Sequence, residues 1–292
     1  MPLFCRHNRL TANCPICSRE LEAERRASAP ARPARTRSAR TGTQSRRPGA
    51  GVVTRRYARA ADDGYRNPLV PGLRATADAE RLAAALAWAD ARLEPPGPHP
   101  AVATEPDPEE AHWLAFLLAL TDPAAHENHE TIVTSRPSWA SGEMPDLPGV
   151  DSRTITAYRA WAARSGTQSE AFLGDPVWSA ERRFGRVFER LALPGFRRTA
   201  RFELLLALGT AGVCELAADG LHVGKEDDAT TLAAKRLLVS GDSMLLERRA
   251  ADLAAACEVR VGALDRALAV WGEGEAPAAE VPHAVRAALG LA

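Results

Sequence analysis

Apolar positions along this chain recur at helical spacing, and no pair of segments alternates with the two-residue period of a strand. Phe184, Val187, Phe188 and Leu191 fall at three- and four-residue steps and predict a helix over 179–192. Phe202, Leu205 and Leu206 predict a second helix over 199–208. Between them, Leu193-Pro194-Gly195-Phe196 predicts a tight turn, because Pro fixes φ and Gly takes a backbone conformation that other residues resist. The pattern is a helix-hairpin-helix.

The same spacing predicts an Ala-rich helix over 77–93, after an extended entry segment at 67–72 and before a loop over 95–108. Trp113, Leu114, Phe116, Leu117, Leu118 and Leu120 make 109–121 a strongly apolar helix, central to the core. Pro, Gly and Ser mark 135–148 as a loop or an active-site lid. Asp151 or Ser152 caps a helix through 164, and Pro176 opens the helix leading to the hairpin. Beyond the hairpin, helices are predicted over 230–239, from Gly241-Asp242-Ser243 to 256, and over 262–271. The fold class is all-α.

No run of 18 apolar residues is present and no apolar, signal-like segment follows the start, so the expectation is a soluble, cytoplasmic protein without a membrane partner. We expect a monomer. The net charge of zero conceals a division: residues 1–60 hold 14 Arg against 3 acids, and the remainder carries the opposite excess. A cationic arm on an acidic body suggests a polyanionic partner, DNA, and a nucleoid-associated location; a tail folding back on its own body is the alternative. Residues 25–60 carry eleven Arg and no acid, a composition that buries no core and predicts a disordered linker able to neutralise phosphates.

Upstream of that linker, Cys5 and His7 are followed by Cys14 and Cys17. Two close pairs of soft ligands predict a structural zinc knuckle, in which ligation supplies the folding energy a short segment lacks. A redox Cys-x-x-Cys lacks a βαβ context here. The expected domains are therefore a knuckle over 1–24, an Arg-rich linker over 25–62 and a helical body over 63–292. Cys214 and Cys257 have apolar neighbours and are expected in the core. The histidines of His126-Glu127-Asn128-His129 are three apart, unlike the i, i+4 pair of zincins, so a polar loop or helix end is the better reading.

A Pro-Gly hairpin aims backbone N–H groups at one spot, which suits a DNA phosphate. Gly195 lets the backbone approach, and Arg197, Arg198 and Arg201 add charge. An ordinary helix corner is the plainer alternative. Asp227 and Asp228 stand at the mouth of the next predicted helix, where either can cap it. The chain's only lysines, Lys225 and Lys235, flank these acids among 35 Arg, and Arg236 follows. A carboxylate with cations beside a DNA-gripping hairpin suits chemistry on an extruded base.

These segments resemble the helix-hairpin-helix DNA glycosylase superfamily, and within it the third clade of the α-glutamyl/putrescinyl thymine pyrophosphorylases. The resemblance is carried by Leu193 to Leu205, Asp227-Asp228 to Arg236, and Gly241-Asp242 to Ala250, with the Cys/His knuckle and Tyr65 to Gly72. It spans roughly residues 65–272 and implies a glycosylase-like helical domain that hypermodifies DNA bases. The implied reaction displaces pyrophosphate from an activated 5-hydroxymethyl pyrimidine with the amine of an amino acid or polyamine. It assigns general-base chemistry to Asp228 or Asp227 with Lys235, and pyrophosphate binding to Lys225 and Arg236. A monofunctional glycosylase and a non-catalytic DNA-binding protein remain as alternatives. The four-cysteine loop of iron–sulfur glycosylases is missing, so no cluster is expected. The hairpin lysine of Schiff-base lyases is also missing; Arg198 stands nearest its place and cannot serve as that nucleophile.

Overall fold

A computed structural model describes residues 60–121, 126–147, 149–224, 228–274 and 277–291, with backbone alone for 126–128. By contacts the chain divides into two units, Met1–Val53 and Thr54–Ala292, and the described residues all belong to the second. The knuckle ligands Cys5, His7, Cys14 and Cys17, and all but the last residues of the Arg-rich linker, lie outside the described residues, as do Lys225 and Asp227.

The described residues form twelve helices and no strand. None of these helices is long and apolar enough to cross a membrane. In chain order they are α1 (Thr76–Ala91), α2 (Pro100–Ala103), α3 (Pro108–Leu120), α4 (His126–Ser135), α5 (Ser152–Ala163) and α6 (Gln168–Leu173). There follow α7 (Ala180–Arg190), α8 (Arg198–Thr210), α9 (Ala229–Leu238), α10 (Ser243–Ala256), α11 (Val261–Gly272) and α12 (His283–Ala288).

Helix starts follow their capping residues. Asp107, Asp151, Thr167, Ser179, Asp228 and Asp242 each accept a backbone N–H of the first turn they precede. Of the two capping candidates before α5 the structure selects Asp151, and of Asp227 and Asp228 it is Asp228 that caps α9. The 126–129 motif is a helix end, the first turn of α4. Pro176 opens no helix; α7 begins four residues later behind Ser179. The short helices α2, α6 and α12 are not anticipated by the spacing, since four to six residues are too few to display a period.

Two packing contacts define the body. The Ala-rich face of α1 lies against α11, the most extensive helix pairing, and α3 runs against α8 through a face that is almost wholly buried. Small residues let helices approach: a Cβ at Gly262 would press on Leu206 at 2.6 Å, and one at Gly272 would reach Ala233 at 3.0 Å. An aromatic cluster built on Trp113, Phe116, Tyr158 and Trp161 fills the space beside α3, with Phe116 and Tyr158 stacked at 3.7 Å. The 135–148 segment is pinned to this cluster. Trp139 packs on Trp113, its N–H donates to Glu110, and its carbonyl accepts from Arg159.

The entry segment is a strap. Gly72 donates its N–H to Leu237 at the end of α9, where any side chain would overlap the Arg236 carbonyl. Asn67 donates its amide to Ala288 of α12. The strap thereby joins α9, the helix that Asp228 starts, and α12.

Candidate functional site

The Pro-Gly turn joins α7 to α8 as the spacing predicts. Phe196 N–H donates to the Leu193 carbonyl at 3.0 Å across Pro194 and Gly195, and Gly195 has φ +75°, the arrangement of a type II turn. The turn is anchored twice. Phe196 is buried against Phe116, ring centres 5.3 Å apart, and the Thr154 hydroxyl of α5 donates to the Pro194 carbonyl at 3.0 Å. A side chain at 195 would overlap that hydroxyl. Pro194, Gly195 and Arg197 are exposed, and Arg197 starts the 13-residue α8 without a side-chain cap.

Arg198 does not share that exposure. It is 1% exposed and lies inside, where Nε donates to Asp228 Oδ2 at 2.8 Å, Nη1 to the Leu221 carbonyl at 2.6 Å and Nη2 to Asp265 Oδ2 at 2.8 Å. The expected phosphate contact is therefore corrected for this residue: a guanidinium with three internal acceptors ties α8, the 219–223 loop, α9 and α11 together. Burial works against its charge, and the Asp265 and Asp228 carboxylates outweigh that and hold it above its usual value. Burial pushes Asp265 up, more than Arg198 pulls it down.

Asp228 caps α9 through Oδ1, which accepts Thr231 N–H at 2.9 Å, while Oδ2 accepts the Thr231 hydroxyl and Arg198. Three donors hold this carboxyl group in one orientation. Lys235 stands two turns further along α9, about 10 Å by helical rise. Arg236 lies over the Trp271 ring at 4.3 Å, toward α11.

The open pocket nearest the turn, about 640 Å³, is not lined by Asp228, Lys235 or Arg236. Its walls come from Phe188 and Glu189 of α7, Ala192 before the turn, and Arg201 of α8. The 219–223 loop supplies Asp219, His222 and Val223, and the start of α10 supplies Met244 and Glu247. Arg201 is the one predicted DNA-binding residue that reaches it; its guanidinium lies 4.4 Å over Phe188 and donates to the Phe188 carbonyl.

The same pocket wall holds a pair that the sequence did not reveal. His222 stacks on Phe188 at 4.5 Å and on Phe184 at 5.6 Å, and its Nε2 lies 2.7 Å from Asp219 Oδ1. An ionised carboxylate can only accept, so this contact places a proton on Nε2. His222 has φ +50°, a left-handed conformation uncommon for any residue but glycine and enriched among Asn, Asp and His. Several features hold it there. Glu247 accepts both Leu221 N–H and Val223 N–H at 2.7 Å, and Arg198 takes the Leu221 carbonyl. Glycine at 220 makes room for Glu247, since a Cβ there would lie 2.7 Å from Oε2. Gly185, inside α7, lets the pair rest against the helix; a Cβ would meet Asp219 Oδ2 at 3.1 Å. An interior helical glycine costs about 1 kcal/mol against alanine, and the room it leaves here is filled by the His222–Asp219 pair.

A second histidine pair carries no such promise. His112 Nε2 lies 3.1 Å from Cys214 Sγ, but burial pushes that thiol up to about 12 and lowers His112, so both stay neutral. Cys257 is buried, matching its expected place in the core, whereas Cys214 is half-buried. No cluster of three or more metal-ligating side chains occurs among the described residues. No protein-family model matches the chain, and comparison with curated proteins and with solved structures gave no match.

Proposed function

We propose that the chain is a DNA base-modifying enzyme of glycosylase-like helical fold. Its reaction displaces pyrophosphate from an activated 5-hydroxymethyl pyrimidine with the amine of an amino acid or polyamine. The observation that carries this reading is that one helix pair builds both a grip and a pocket. The start of α8, which no side chain caps, and the exposed Gly195 provide backbone N–H groups for a phosphate. One turn further, Arg201 and the end of α7 wall a pocket of about 640 Å³, within the range of small-molecule sites and roomy for an extruded pyrimidine with a substituent.

In this reading Arg197 and Gly195 meet the DNA backbone, the N-terminal arm adds sequence-independent affinity, and a zinc-bound Cys5, His7, Cys14 and Cys17 knuckle gives a third grip. Zinc there is structural and supplies folding energy only. Asp228 is joined through Arg198 to the loop that lines the pocket. By the resemblance, Lys225 and Arg236 bind the departing pyrophosphate, and Asp227 or Asp228 with Lys235 takes the amine's proton.

The direct test replaces Asp227 and Asp228 by Asn, which caps a helix nearly as well as Asp. The double variant is expected to fold and bind DNA while losing pyrophosphate release; retained release at the parental rate removes the acids from the mechanism. One observation favours a second reading. A carboxyl group fixed in orientation by three donors also suits stabilisation of a sugar cation, as in a monofunctional glycosylase. Abasic sites after incubation with damaged-base duplexes would then appear, and the transferase reading predicts none.

A further inference from the structure

The general base assigned from sequence, Asp228, has its oxygens occupied by three donors and lies outside the pocket wall. His222 has the opposite properties. It is in the wall, it is aligned through Nε2 by Asp219, and its Nδ1 makes no hydrogen bond among the described residues. We propose that His222, positioned by Asp219, is the proton acceptor of this pocket, and that the pocket binds a cationic primary amine. This rests on the transferase reading for its chemistry and on the pocket alone for its ligand class.

The charge around the imidazole selects the ligand. Asp219 faces it from its own loop, Glu189 from α7 and Glu247 from α10, against the single guanidinium of Arg201 from α8. Arg201 already lies over Phe188 and donates to its carbonyl, so the pocket presents an excess of negative charge. The Phe188 ring carries Arg201 at 4.4 Å and His222 at 4.5 Å, which makes it a support for the imidazole. An ammonium group beside Nδ1 answers both features: it is attracted by the carboxylates, and it has a proton to give.

The step balances without a further reactant. The ammonium gives one proton to Nδ1, and the imidazolium is matched by Asp219. The freed nitrogen lone pair forms a bond to the exocyclic carbon of the activated base. The carbon–oxygen bond breaks as it forms, and pyrophosphate leaves with the bonding pair. The product nitrogen keeps its second proton or loses it to water, and His222 returns its own to solvent.

The ligand half is tested on the full chain by following the His222 Cε1–H resonance by NMR, assigned by its loss in His222→Asn. Asparagine is chosen because it tolerates the left-handed backbone at 222. Putrescine is expected to move this resonance saturably, and butane-1,4-diol, of the same length without charge, is expected to leave it still. No movement with putrescine at about 10 mM, some ten times a millimolar Kd, overturns the amine site, and so does equal movement with the diol. The chemical half is read on DNA bearing the activated base. His222→Asn is expected to lose about 100-fold or more of pyrophosphate release while melting like the parent. Asp219→Asn is expected to shift the acid limb of the pH–rate profile rather than to abolish activity. A His222→Asn variant working at the parental rate and pH profile overturns the proton-acceptor role and leaves the transferase reading standing. If putrescine moves the resonance but the parent releases no pyrophosphate with any amine, the transferase reading falls and the amine site stands.

Discussion

Replacing Arg198 by Met tests how the site is held. The guanidinium is 1% exposed and forms the hub of Asp228, Asp265 and the Leu221 carbonyl. Met keeps the stem's volume and removes the charge, which leaves Asp265 buried without a partner. Breaking a buried pair by deleting one partner costs about 3–5 kcal/mol, and at about 2–4 °C per kcal/mol for a body of this size the melting temperature should fall by on the order of 10 °C. The loss has a pH signature. Burial already raises Asp265 above its usual value with Arg198 in place, and without Arg198 it rises further. An acid whose folded pKa exceeds its unfolded one binds more protons when folded, so acidification favours the folded variant. The gap to the parent, measured by calorimetry, should therefore narrow as the pH is lowered and the unpaired carboxyl takes up its proton. Adding Asp265→Leu should recover most of the loss, because the orphaned charge is gone. A variant that melts within about 1 °C of the parent would refute the reasoning when set against the 2–4 °C expected per kcal/mol. So would a gap that does not change with pH, or a double variant that loses the sum of both.

Three other perturbations have defined outcomes. Gly195→Ala places a side chain at φ +75° against the Thr154 hydroxyl, so chemical denaturation should show a loss of about 1–3 kcal/mol together with weaker DNA binding. Glu203 is held at about 2: burial opposes its charge, and Arg266 and His99 prevail. Its folded value is depressed, so its contribution, up to about 3 kcal/mol, is present above about pH 5 and is lost as pH falls toward 2; Glu203→Gln should flatten the stability curve over that range. Metal analysis of the full chain should find about one zinc from the four ligands Cys5, His7, Cys14 and Cys17, and Cys14→Ser with Cys17→Ser should lose it.

The helices were legible because most carry a long apolar face and a polar cap. The predicted segments around Trp113, Phe188, Phe202 and Leu237 lie within about two residues of the observed helices, as expected where ends fray. The Pro-Gly turn was legible too, since Gly195 takes the positive φ that Pro-Gly foretells. The pocket was not. His222 sits in a short coil whose sequence has no period, and its partners arrive by folding: Glu247 from α10, Arg198 from α8, and the bare helix surface at Gly185 from α7. Asp219-Gly220 before a histidine was the only local sign. Arg198 was misplaced for a related reason. An Arg beside an exposed turn looks like a surface cation until Asp265, sixty-seven residues downstream, is known to lie beside it.

The central claim, amine transfer onto an activated base, is tested most directly on duplex DNA carrying one pyrophosphorylated 5-hydroxymethyluracil, incubated with the full chain and either putrescine or glutamate. Nucleosides are then analysed by mass spectrometry and released pyrophosphate is counted. The account predicts an amine-linked thymine derivative, one pyrophosphate for each base converted and no abasic site. An abasic site, or an unchanged base with DNA bound, would contradict it.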